Sequence, residues 1–184
     1  MTLDLVITVS GFHGTGKTTV AEMLARALGL RHVSAGQLFR QMAEERGLSL
    51  SALSVRASEK DELDRLVDSR TKEEAKKGNA VIDGLLAGWM AGEDADLKFY
   101  LFAPDDVRVA RIARRDKCSL EEARKATFSR ERLERRRFKR FYAIDIDDLS
   151  IYDLILNTGL LSPRGNVRVL EGFARAYMRE REAG

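Results

Sequence analysis

Eight residues near the start of the sequence, Gly11-Phe12-His13-Gly14-Thr15-Gly16-Lys17-Thr18, constrain the fold of this chain more than any other stretch. They fit the pattern G-x-x-x-x-G-K-[ST], whose glycines let backbone N–H groups turn inward around a phosphate without Cβ clashes. The flanks are those such a loop requires. Leu5-Val6-Ile7-Thr8-Val9 is a β-branched apolar run and reads as a buried strand. Val20 to Leu28 is apolar at helical spacing and stops at Gly29. The helix start adds partial positive charge, Lys17 can reach β- and γ-phosphates, and the Thr18 hydroxyl can join the shell of a Mg²⁺ ion. The pattern implies a nucleoside triphosphate held by Gly11 through Thr18, with Thr19 directly behind. His13, at the tip, is expected to contribute only its backbone.

The 184 residues suffice for one α/β domain, and 44% hydrophobic with 33% charged residues is the balance of a soluble globular chain. A net charge of +3 suits an anionic ligand and nucleic acid equally. The single cysteine, Cys118, excludes a disulfide within the chain and reads as an inert thiol. No apolar run reaches membrane-spanning length, and the sequence enters its first strand without a basic leader, so a cytoplasmic protein without membrane contact is expected.

Further strands are expected over 30–34, 80–83, 97–103 and 152–157, alternating with helices. Gly36 should open a helix with Leu38, Phe39, Met42 and Ala43 on its apolar face. Ser49 and Ser51 are candidate caps, and Leu63, Leu66 and Val67 mark the packed face of a charged helix. Asp105 should cap a helix running to Asp116. Ser119 with Glu122 forms a capping box at the start of a very basic helix, and a last helix should run from Pro163 to Arg181. Strand–helix alternation implies a five-stranded parallel sheet in a three-layer α/β/α phosphate-loop fold. The chain should form a single domain over 1–184, with helical excursions at about 40–70 and 115–150 placed to move as flaps. Ligands in such sheets bind at the carboxyl ends of the strands. That gathers the phosphate loop, Ser34 to Arg40, Asp83 to Trp89, and the segment after Pro104.

Three constellations extend the loop. Gly36 allows close approach of a ligand, and Arg40, one turn into its helix, can grip a phosphate bidentately. Asp83 ends a buried strand beside the loop, where a carboxylate calls for a partner and reads as an outer-sphere Mg²⁺ ligand or as a turn carboxylate. The arginines at 111, 114, 115, 130, 132, 135, 136, 137 and 140 read as a solvated basic face. They also read as a lid closing over phosphates, or as a nucleic-acid surface interleaved with Phe138, Phe141 and Tyr142.

Together these segments resemble the nucleoside monophosphate kinases, and within them the archaeal type of cytidylate kinase. The similarity rests on Ser34-Ala35-Gly36…Phe39-Arg40, on Asp64 and Asp68, and on Gly78-Asn79-Ala80-Val81-Ile82-Asp83-Gly84. It continues through Leu86-Ala87-Gly88-Trp89-Met90, Ala103-Pro104…Val107-Arg108…Arg111-Ile112-Ala113…Arg115, and the run from Ile144 to Thr158. At Leu85 the sequence departs from the family pattern, which tends to arginine there. The resemblance implies ATP and Mg²⁺ as cofactors, ATP on the phosphate loop with Arg111 and Arg115, and Mg²⁺ near Thr18 and Asp83. It implies CMP, with dCMP possible, held by Ser34, Gly36, Arg40, Asp64, Asp68, Gly84 and Gly88. Lys17, Arg40, Asp83, Arg130 and Arg137 would be the catalytic set, in a flap-and-lid enzyme that acts as a monomer without a nucleic-acid partner. The same scaffold allows AMP or UMP as acceptor. A switch GTPase is disfavoured because the sequence has no N-K-x-D motif. A kinase for alcohols would need a base after the second strand, where the sequence reads Val33-Ser34-Ala35-Gly36.

Overall fold

The computed structural model describes residues 5–59 and 62–183. Five strands, β1 (Val6–Ser10), β2 (Arg31–Ser34), β3 (Ala80–Asp83), β4 (Leu97–Phe102) and β5 (Leu154–Asn157), form one parallel sheet in the order β2-β3-β1-β4-β5. The order follows from burial. β1 and β3, apolar on both faces, are wholly buried at the centre, whereas β2 and β5 are the partly exposed edges.

Helices α1 (Lys17–Leu28) and α8 (Pro163–Ala183) cover one face of the sheet. Ile7, Val9, Val81, Phe99 and Leu101 meet Leu24, Leu28 and Leu170 there. Each such side chain contributes roughly 1.5–3 kcal/mol on burial. The other face is smaller and built of short residues. Val6, Ala80 and Ile82 pack on Ala75 of α4 (Glu62–Lys76) and on Ala87 and Ala91 of α5 (Ala87–Ala91). These faces make the three layers.

Two helical groups rise above the carboxyl ends of the strands. α2 (Ala35–Glu45) and α3 (Leu50–Glu59) pack through Phe39, Met42, Ala43 and Leu53. α6 (Asp105–Asp116) and α7 (Leu120–Tyr142) pack through Val109, Ile112, Ala113 and Ala123, with Cys118 tucked against that cluster. α3 also touches α7, so the two groups meet over the sheet.

The Ser119–Glu122 capping box is present in full at the start of α7. Two caps differ from expectation. Ser34, not Gly36, caps α2, accepting from the Gln37 N–H. Pro104 occupies the N-cap of α6, and Asp105 instead pairs with Arg108 at 2.6 Å. The segment Asp83 to Trp89 leads into the short α5, which is followed by a 3₁₀ turn at Gly92–Asp94. The side chains of Leu38, Ser51, Leu63, Asp64, Leu66 and Val67 lie outside the described residues. Among the described residues no helix is long and apolar enough to cross a membrane.

Candidate active site

A cavity of about 880 Å³ opens at the carboxyl ends of β1 and β3, beneath α2 and α7. Strand order reverses at this point, because β2 and β3 lie to one side of β1 and β4 and β5 to the other. His13, Gly14, Thr15, Gly16, Lys17, Thr18 and Thr19 form its floor. Gly14 and Gly16 have φ of 79° and 87°, the left-handed conformation that lets the loop curl before α1. A Cβ on Gly14 would also stand 2.6 Å from the Arg108 carbonyl oxygen.

Two loop residues assigned to the ligand lie outside the cavity lining. Gly11 is pressed against β4, where a Cβ would stand 2.1 Å from the Leu101 carbonyl oxygen. Phe12 turns its ring to α7, under the Arg135 guanidinium at 4.5 Å, while its carbonyl accepts from Thr15 Oγ1 and Lys17 Nζ, both at 2.8 Å. Burial pushes the Lys17 ammonium down to about 8, against the attraction of Asp83 and Glu134 and with Arg130 adding repulsion.

Asp83 is 1% exposed at the end of β3, and the surrounding hydroxyls and imidazole account for its burial. Its Oδ2 accepts from Thr18 Oγ1 at 2.9 Å and Ser34 Oγ at 3.2 Å, and its Oδ1 lies 2.8 Å from His32 Nε2. The Thr18 hydroxyl proton is thus directed at Asp83, which leaves that oxygen's lone pairs for a cation. Hard oxygen donors beside a phosphate-binding loop fit Mg²⁺, which takes few protein ligands. His32, which no sequence motif singles out, comes within reach of Asp83 through the register of β2 on β3: it pairs with Val81, two residues before Asp83 on the same face, while Ser34 lies against Asp83.

Gly36 and Arg40 line the wall made by α2, and Gly84 lines the wall after β3. A Cβ on Gly84 would stand 2.9 Å from that of Ala35, so this glycine lets α2 start close to β3. Ser34 and Gly88 fall outside the lining. Ser34 ties the α2 cap to Asp83. Gly88 gives its N–H to Ser10 Oγ at 3.1 Å and leaves room for Tyr152, whose Cε1 would be 2.8 Å from a Cβ there. Asp68 reaches the cavity from α4. Burial pushes its carboxyl up to about 6, with Tyr142, Lys72 and Arg137 pulling the other way. Its Oδ2 is buried without a hydrogen-bond partner among the described residues. Leu85, Leu86, Met90 and Phe138 supply an apolar wall beside it.

The arginines divide. Arg40, Arg115 and Arg130 converge on the cavity. Burial, then the charges of Arg115 and Arg130, lower the Arg40 pKa, with Asp83 opposing. Like charges gathered around one cavity make it attractive to a polyanion. Arg115 also pairs with the neighbouring Asp116 at 2.7 Å. Arg111 braces the loop: it donates to the carbonyls of Gly14 at 3.3 Å and Thr158 at 2.8 Å. Arg137, 4% exposed, lines the cavity and acts electrostatically on both Asp68 and Glu134.

The inner stripe of α7 is the largest departure from expectation. Read as a basic helix, it buries two carboxylates, Glu131 at 2% and Glu134 at 3% exposure. Arg108 meets Glu131 at 2.6 Å and also donates to the His13 carbonyl at 2.9 Å. Removing one partner of such a buried pair costs about 3–5 kcal/mol. Glu134 accepts from Arg130 Nε at 2.9 Å and lies 2.7 Å from His13 Nε2. The His13 imidazole is thus engaged with α7, a contact additional to the backbone role expected of it. The available signal was spacing: Thr127, Glu131, Glu134 and Phe138, all buried, recur every three or four residues inside an arginine-rich run.

A family model for the cytidylate kinase-like family matches residues 6–160. A cytidylate kinase of Staphylothermus marinus is 44% identical over 176 residues, covering 96% of this chain and 99% of that protein. One from Pyrococcus horikoshii is 52% identical over 161 residues, covering 88% of this chain and 83% of that protein. Among solved structures, a gluconokinase from Sinorhizobium meliloti superposes with a TM-score of 0.65 at 15% identity, covering 100% and 99% of the two chains. A shikimate kinase from Bacteroides thetaiotaomicron gives 0.63 at 17% identity, with 93% and 98% covered. These two likenesses concern the fold.

Proposed function

The chain belongs to the cytidylate kinase-like family, and from that premise we propose that it transfers the γ-phosphoryl group of ATP to CMP, giving ADP and CDP, with dCMP as a further acceptor. The convergence of Lys17, Arg40, Arg115 and Arg130 on one cavity carries the reading, because transfer between two nucleotides brings a triphosphate and a monophosphate together.

ATP is assigned to the floor, its terminal phosphates on the N–H groups of Gly14 to Thr18 and on Lys17. To reach them, Lys17 gives up its bond to the Phe12 carbonyl. Thr18 and Asp83 would hold Mg²⁺, which supplies charge neutralisation at the β- and γ-phosphates. Arg40 is assigned to the acceptor phosphate. A CMP phosphate has a second pKa of about 6 and is largely dianionic at neutral pH, so it attacks without a general base. The chain's task is alignment, charge compensation by Lys17, Arg40 and Arg130, and exclusion of water by α2–α3 and α7, acting as flap and lid.

The base is assigned to the far wall. The unpartnered oxygen of Asp68 suits the 4-amino group of cytosine, where uracil presents an acceptor. Arg137 beside it can donate to the ring's acceptor edge. Leu85, in place of an arginine, leaves this wall apolar and moves the phosphate contacts to Arg40 and α7. A coupled ADP-release assay across CMP, dCMP, UMP and AMP tests the reading. CMP should give the highest kcat/KM; preference for AMP or UMP by tenfold or more would overturn the base assignment, and no turnover with any of the four would overturn the reaction.

A further inference from the structure

Glu134 sits where a carboxylate is hard to explain. It is 3% exposed, on the inner stripe of α7, and borders the cavity where negatively charged phosphates should bind. Burial alone pushes its carboxyl up. His13, Arg130 and Arg137 overcome that and bring it down to about 2, so it is ionised at neutral pH. An ionised group in that place repels a phosphate unless its charge is fully committed elsewhere.

Its two oxygens are committed to different parts of the molecule. Oε1 accepts from Arg130 Nε at 2.9 Å, one turn earlier on α7. Oε2 lies 2.7 Å from Nε2 of His13, which is 121 residues away at the tip of the phosphate loop. With Glu134 ionised, His13 Nε2 carries the proton and donates. The Arg130 guanidinium also lies 5.8 Å from the centre of the Phe39 ring, on the helix that carries Arg40. Arg130 therefore stands between the two assigned phosphate sites, in a cluster of like charges that would otherwise drive it outward.

We propose that Glu134 and His13 are a pair of positioning residues that register α7 on the phosphate loop and hold Arg130 at the transferring phosphoryl group. Glu134 is the counter-charge that keeps Arg130 inside the arginine cluster. His13 fixes the rotation of the Glu134 carboxylate and ties it to the loop, so the arginine is placed relative to the γ-phosphate and not merely relative to its own helix. Arg108 and Glu131, one turn back, fasten the same helix to the His13 carbonyl and set the coarse position. A charge-compensating arginine matters most in the transition state, where it must lie within a fraction of an ångström of its place. Loss of the pair should lower kcat and leave substrate affinity nearly unchanged.

The inference rests on the phosphoryl-transfer reading, and the test separates the two. Kinetics of His13→Ala, Glu134→Gln, the double variant and His13→Gln are measured with CMP and Mg-ATP. Each of the first two should lose about 10- to 100-fold in kcat, with KM for both substrates within about threefold. The double variant should be no worse than the poorer single one, since both changes break one linkage. His13→Gln, whose side-chain N–H can reach the carboxylate, should recover most of the His13→Ala loss. Multiplicative losses, a rise in KM at unchanged kcat, or no rescue by glutamine would overturn the proposal. Amide exchange of the loop from Phe12 to Gly16 reads the linkage without turnover. It should quicken at least tenfold in Glu134→Ala, which removes every hydrogen-bonding atom that faces His13, and unchanged exchange would overturn the linkage even if the reaction reading failed.

Discussion

The two ends of the cavity are built by different means. The loop end is made of backbone: Gly14 and Gly16 in left-handed conformations, the first N–H groups of α1, and Arg111 bracing the carbonyls from behind. The far end is made of side chains from four helices, with Arg40 on α2, Asp68 and Thr71 on α4, Met90 on α5, and Arg137 and Phe138 on α7. Backbone donors recognise a phosphate chain whatever base it carries, because amide geometry is the same for every residue. Side chains can discriminate between bases, but each must be placed by packing. The loop end should therefore fail through loss of chemistry, and the far end through loss of affinity or selectivity.

The largest effect is expected at the loop. Lys17→Ala should lower kcat on the order of 10³-fold, while the circular dichroism spectrum and melting temperature stay near those of the parent. Lys17 is half-buried and its ammonium donates to a loop carbonyl, that of Phe12, so the fold does not depend on it. A loss confined to KM for ATP would place the lysine in ground-state binding and erase the contrast between the ends. Arg40→Ala comes next. It should raise KM for CMP about 10- to 100-fold, the worth of a charged hydrogen bond, and leave KM for ATP within about threefold. Equal loss for both substrates would mean that one phosphate site spans the cavity.

The ends also differ in how readily they were legible in the sequence. β1, the loop and α1 are contiguous, and their identities alone dictate their shape, so Gly14 to Thr18 could be placed without a fold. The bounds of β3 were equally plain, because Gly78 and Asn79 punctuate its start, and Pro104 marked the entry to α6 to within one residue. Arg40 was legible through its one-turn distance from the end of β2. The role of Glu134 was not, since pairing with His13 spans 121 residues and only tertiary packing creates it. A run dense in arginine hides a buried acidic stripe from any composition argument. Nor could residue type place Phe12, Gly88 and Ser34: a ring turned to α7, a gap for Tyr152 and a helix cap tied to Asp83 are decided by neighbours.

A pH profile sharpens the loop end further. Burial brings Lys17 down to about 8, and its charged form is the one that binds phosphate. As pH rises through that value in the free enzyme, kcat/KM for ATP should fall, reaching about a tenfold loss per unit at higher pH. Bound phosphates restore the lysine's proton affinity, so kcat itself should stay flat over the same range. A kcat that falls in parallel would place the titrating group outside the ATP site.

The smallest effect tests the far end and has two signs. The Asp68 carboxyl, pushed up to about 6 by burial, binds a proton more tightly in the folded chain than in the unfolded one. A carboxylate shifted this way contributes no stability at neutral pH. It lowers stability as pH rises from the unfolded value near 4 to the folded value, and the cost remains above it. Asp68→Asn removes the charge while keeping the shape. It should therefore stabilise the protein by about 1 kcal/mol at pH 7.5, seen as a rise of a few degrees in melting temperature, with the gain vanishing near pH 4. The asparagine oxygen can still accept from a 4-amino group, but its N–H₂ can now turn to the O4 of uracil. KM for CMP should rise and KM for UMP should fall, narrowing the preference by about tenfold. Stabilisation without that change in preference would make Asp68 a strained bystander and move base selection elsewhere on the wall. Stabilisation together with it would show that the side-chain end pays for selectivity in stability, which the backbone-made end does not.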